Sequence, residues 1–108
     1  MEFDDVVRAA LDELPTDLAT ALRNVAVVVE TENPDDPGLY GLFEGVPLID
    51  GGPDGGALPN RIAIYRRPLE QDFPDVAELR AEIRITVMHE LGHYFGLDED
   101  RLDELGYA

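Results

Sequence analysis

No cysteine occurs in these 108 residues. Disulfide scaffolds, thiolate metal sites and thiol nucleophiles are excluded together, and a chain without thiols suits a reducing compartment. Positive charge is also scarce: eight basic residues face 24 acidic ones, a formal charge of −16. That balance argues against a nucleic-acid partner, because phosphate binding needs clustered Lys and Arg. An anionic membrane surface would repel the chain on the same ground. No apolar run approaches the roughly 20 residues of a membrane span. The opening Met1-Glu2-Phe3-Asp4-Asp5 has neither the basic start nor the apolar stretch of a secretory signal. The expectation is a soluble, cytoplasmic protein.

The hydrophobic fraction of 44% supports a small core, and the length allows one domain spanning 1–108. Phe3, Val6, Val7, Ala10, Leu11 and Leu14 recur at the spacing of an amphipathic helix that Pro15 ends. Thr16 and Asp17 look like the cap of a second helix running to Arg23. Val25 to Val29 is a β-branched run of strand type, and Leu39 to Val46 reads as another strand. The Gly/Pro-rich stretch from Asp50 to Gly56 reads as a loop, with a flap over a cleft as the alternative. Arg61 to Arg67 alternates in part and is expected to be a strand that Pro68 stops, at the sheet edge. From Pro74 to Phe95 the pattern is helical, with Pro74 placed in the first turn and Gly96 as the stop. Leu102 and Leu105 suggest a short final helix. The order of elements is that of an α+β domain, with N-terminal helices and a small sheet packed on one long helix.

The two histidines of the chain, His89 and His93, stand four apart, with Glu90 directly after the first. Random placement of two histidines and 11 glutamates gives that arrangement roughly 0.2% of the time, by counting on a motif with a known mechanism. On a helix, residues four apart share one face, so both imidazoles can reach one ion. A catalytic zinc site takes three protein ligands and a water. Glu90, one residue round the helix, is placed to take a proton from zinc-bound water rather than to bind the metal. Glu90 also falls near the middle of the apolar stripe of Val76, Leu79, Ile83, Val87 and Tyr94. An ionised carboxylate there needs a partner or a solvated cleft.

The run His89-Glu90-Leu91-Gly92-His93-Tyr94-Phe95-Gly96-Leu97-Asp98-Glu99 resembles the HExxHxxGxx(Asp) motif of the Asp-zincins. It is most similar to the short bacterial zincin-like metallopeptidases, the mini-zincins. The segments Leu42–Leu48 and Leu58–Leu69 are similar to that family too, and the likeness spans about residues 38–105. The resemblance implies a minimal zincin-like domain, one Zn2+ held by His89, His93 and a carboxylate, and Glu90 as general base acting on a peptide or protein substrate.

Zincins that take their third ligand from a following helix place it far downstream, and only 15 residues follow His93. The short alternative is a ligand six residues after the second histidine, reached by a turn at Gly96. Glu99 holds that offset; Asp98 ranks second and Asp100 third. The chain has no methionine after Met88, so the Met-turn of metzincins is absent, and Tyr107 is a candidate to pack or donate a hydrogen bond there. The resemblance also implies an edge strand, within Arg61–Arg67, that pairs with an extended peptide, with Arg61, Tyr65 and Arg66 as the candidate residues. A homodimer would enlarge the small core. The alternatives to peptide hydrolysis are a metal-binding or protein-interaction module that retains a zincin shell without catalysis, and, more weakly, an acidic mimic of nucleic acid.

Overall fold

The chain is seen in a computed structural model, in which residues 2–45, 60–96 and 98–105 are described. Helix α1 (Phe3–Asp12) buries Phe3, Val6, Val7 and Ala10 along one face, the stripe its spacing predicts. Pro15 precedes helix α2 (Thr16–Ala21), which tightens into a 3-10 turn at Leu22–Asn24 before strand β1 (Val25–Glu30). Strand β2 (Gly41–Glu44) and strand β3 (Asn60–Tyr65) complete a mixed sheet ordered β1-β3-β2. β3 runs parallel to β1, with Val27 opposite Ile62, and antiparallel to β2, with Phe43 opposite Ile62.

This corrects the expected edge position of the Arg61–Arg67 segment. β3 is the central strand, and Ile62, Ala63, Ile64 and Tyr65 are all buried. A strand covered on both faces reads as a continuous apolar run rather than an alternation. The strand also ends earlier than expected. Arg66 opens helix α3 (Arg66–Asp72), and Pro68 lies inside its first turn, where its missing N–H has no bond to lose.

Helix α4 (Val76–Tyr94) is capped by Asp75, whose side chain accepts the Glu78 N–H at 3.0 Å. Pro74 therefore lies one residue before the cap, not inside the helix. Leu79, Ile83, Val87, Leu91 and Tyr94 pack with α1 and with Ile62 and Ile64 of β3 in one core. Val76, counted in the same stripe, is 42% exposed, because the first turn projects past the core. Gly96 takes φ +84°, a left-handed conformation that ends the helix with the Gly96 N–H donating to the His93 carbonyl at 2.9 Å. Helix α5 (Glu99–Leu105) follows.

The β1–β2 connection is tied down at both ends. Asn33, buried, accepts from the Asp35 and Asp36 amides through its side-chain oxygen and donates its NH2 to the Tyr65 hydroxyl at 2.9 Å. Tyr40, at the far end, donates its hydroxyl to Asp72 on α3. Among the described residues no helix is long and apolar enough to cross a membrane.

Candidate metal centre

His89, Glu90 and His93 project from the last turns of α4 toward β2. The two Nε2 atoms are 3.2 Å apart, with the rings edge to face at 80°. Two nitrogens bound at about 2.0–2.1 Å to tetrahedral zinc stand about 3.3 Å apart, so the pair already has the spacing of a shared ion. With Glu90 they form a group whose donor atoms all lie within 4.8 Å of one another. Such a group could hold a metal ion, and imidazole and carboxylate donors are consistent with zinc.

Glu90 is 7% exposed, and the two oxygens of its carboxylate face different neighbours. Oε1 accepts the backbone N–H of Phe43 at 2.7 Å, while Oε2 lies 3.8 Å from His89 Nε2. A carboxylate in the apolar stripe requires a partner, and an amide of the sheet supplies one.

That contact depends on a close approach of β2 to α4, and Gly41 permits it. A Cβ at Gly41 would stand 2.6 Å from Thr86 Cγ2 and 3.1 Å from the Ala63 carbonyl oxygen. Thr86 bonds its hydroxyl back to the Glu82 carbonyl at 2.8 Å, one helical turn earlier. The pairing parity of β2 follows from the Tyr65 N–H donating to the Tyr40 carbonyl at 2.9 Å. In an antiparallel ladder alternate residues then turn their N–H and C=O outward, which on β2 are Gly41 and Phe43. The outward amide of Phe43 is the one Glu90 takes. Among the described residues, clefts open on either side of the site. One of about 390 Å³ is lined by Leu42, Phe43, His89, Glu90 and His93. The other, about 400 Å³, lies beside Tyr40, Glu82, Ile85, Thr86 and His89.

The family model of zincin-like metallopeptidases matches residues 22–107. The chain belongs to this family. Among solved structures it is similar to a conserved hypothetical protein of Thermus thermophilus, with a TM-score of 0.56 and 23% identity over 96% of this chain and 94% of that one. That likeness shows the same fold. No curated protein matches the sequence.

Around this zincin-like centre the other sequence candidates separate. Asp98 is exposed, and its Oδ1 accepts the Arg101 N–H at 2.9 Å at the start of α5. Neither it nor Asp100 joins the ligand group among the described residues. Glu99 is the first residue of α5. Tyr107 and the 50–56 loop lie outside the described residues. Gly96 ends the histidine-bearing helix, as its position predicts.

The three proposed substrate-strand residues are corrected by the sheet order, since a central strand has no open edge. Arg61 bridges the sheet, bonding Glu44 at 3.0 Å and Glu30 at 2.8 Å, which together raise its already high pKa. Tyr65 is buried against Asn33, and Arg66 pairs with Glu70 on the outside of α3. Among the described residues, the open edge beside the histidines belongs to β2. Sequence reasoning missed Gly41, Phe43 and Glu82. A glycine inside a strand-like run was the available sign for Gly41, since it marks a close backbone approach. What Phe43 offers Glu90 is its backbone amide, which no side-chain pattern reveals.

Proposed function

We propose that the chain is a zinc-dependent peptidase that hydrolyses peptide bonds, with Glu90 as the general base. The observation that carries this reading is the geometry of one helix turn: two imidazole nitrogens 3.2 Å apart beside a carboxylate anchored by the Phe43 amide. His89 and His93 would hold the ion, with Glu99, six residues beyond His93 at the start of α5, as third ligand. Zinc bound there supplies Lewis acidity, which acidifies water and polarises a peptide carbonyl.

The chain's own part is proton transfer and positioning. With Oε1 held by Phe43, Glu90 presents Oε2 toward the histidines, where it takes a proton from the attacking water. As the C–N bond breaks, the same oxygen returns that proton to the leaving amine. The peptide lies extended on the open edge of β2 and pairs with the outward N–H and C=O of Gly41, the mode of strand addition. Phe43 is not free for such pairing, because Glu90 already holds its amide.

The test is cleavage of a broad peptide library with zinc present, scored by mass spectrometry for the wild type and Glu90→Gln. Hydrolysis by the wild type and its loss in a variant that still binds zinc is the expected result. Hydrolysis retained in Glu90→Gln refutes the base assignment. Zinc binding with no cleavage of any peptide by the wild type favours the non-catalytic module instead.

A further inference from the structure

The cleft on the Tyr40 side of the histidine pair has a chemistry of its own. Its walls combine apolar surface from Leu39, Tyr40 and Ile85 with the carboxylates of Asp36, Glu82 and, at the histidine end, Glu90, and among the described residues no Arg lines it. Tyr40 is fixed as a wall. Its hydroxyl is committed to Asp72, and its ring packs edge-on against Phe73 at 5.7 Å.

The Glu82 side chain is partly buried and forms no hydrogen bond or ion pair with any described residue, while burial alone pushes its carboxyl up from the ordinary range. The nearest arginines in sequence turn elsewhere: Arg80 and Arg84, on the same helix, both reach Glu13 at 3.0 Å. A desolvated carboxylate without a counter-ion destabilises the folded chain, and an incoming cation relieves that cost.

We infer that this cleft is a subsite for a lysine or arginine side chain of the bound peptide, with Glu82 as the residue that sets the preference. The inference rests on the peptidase reading above for the identity of the ligand as a peptide. Glu82 and His89 are seven residues apart on α4, two turns on nearly the same face, which separates them by about 10 Å along the axis. An extended chain advances about 3.3 Å per residue. A residue next to the scissile bond therefore needs a long side chain to reach Glu82, and Lys and Arg are the long cationic ones. Their aliphatic stems suit the Leu39, Tyr40 and Ile85 walls, with the charged head left at the carboxylate. Asp36, exposed and also lining the cleft, adds a second negative group.

The experiment is calorimetric titration of the zinc-supplemented full chain with three end-blocked pentapeptides, Ala-Ala-Xaa-Ala-Ala, where Xaa is arginine, norleucine or glutamate. Glu90→Gln is the background, so that the peptides are not consumed. The arginine peptide is expected to bind roughly ten- to a hundredfold more tightly than the norleucine peptide, as for a hydrogen bond to a charged group. Adding Glu82→Gln should bring the two to near parity, and adding Glu82→Lys should turn the preference toward the glutamate peptide. Equal binding of all three, no binding of any, or an arginine preference that survives Glu82→Gln overturns the inference. Cleavage is scored separately with the wild type. Arginine-selective binding without hydrolysis removes the peptidase reading and leaves the subsite standing.

Discussion

Glu90 and Phe43 lie 47 positions apart in the chain, yet the carboxylate of one accepts the backbone amide of the other at 2.7 Å. That bond fixes the orientation of the acid and the height of the sheet edge over the helix at once. Glutamine keeps the acceptor and removes the base, whereas alanine removes both. Glu90→Gln is therefore expected to unfold like the wild type while kcat falls by about 10²–10⁴. Glu90→Ala should in addition lose about 1–3 kcal/mol of stability, since the Phe43 amide is left unpaired. Denaturant melts of the two variants beside peptidase assays separate the roles; equal stability of the two would remove the structural one.

Gly41 sets the same distance from the strand side. Gly41→Ala places a methyl against Thr86 Cγ2 and the Ala63 carbonyl. The strand must lift or the helix must shift, at a cost of about 1–3 kcal/mol. Thermal denaturation is expected to register that loss. Glu90 should also lose its hold on the Phe43 amide, visible as faster hydrogen exchange at Phe43. Unchanged protection of that amide would contradict the tight approach of β2 to α4.

Glu82 carries a pH signature. Burial raises its folded-state pKa above the unfolded value, so the native state holds the proton more tightly. Stability from this group is then greatest below the unfolded pKa and falls as pH rises through the folded one. Glu82→Gln removes the burden. Its melting temperature should exceed that of the wild type at neutral pH, and the gap should close in acid. A variant less stable than the wild type at neutral pH would mean that Glu82 has a partner after all.

Tyr40 titrates late. Its hydroxyl is pushed up to about 12, first by the hydrogen bond to Asp72 and then by burial. The stabilising contribution is complete below the ordinary value of 10 and is lost as pH rises through about 12. Asp72→Asn should return the Tyr40 transition toward 10, followed by the ultraviolet absorbance of tyrosinate. A transition that stays put would place the cause elsewhere than Asp72.

How much of this was legible in the sequence follows from what each signal depends on. Helix α4 and its histidine pair are legible because their spacing is set by the helix itself, and Glu90 stands out as a charge in an apolar stripe. The rank of β3 is not, since edge or centre is a property of the neighbours. The unbroken run Ile62-Ala63-Ile64-Tyr65 was the trace of double-sided burial. Helix α3 is hidden in the sequence because a proline at position 68 suits a strand stop and a first helical turn equally well. The Phe43 contact had no local trace, because it joins a backbone amide to a side chain from another element.

Zinc content by elemental analysis after zinc loading and dialysis, on the wild type and on His93→Ala, tests the shared ion itself. The wild type should retain about one ion per chain, and the variant should lose it. A wild type that leaves dialysis without zinc, or a variant that keeps as much, would contradict a shared ion between the two imidazoles.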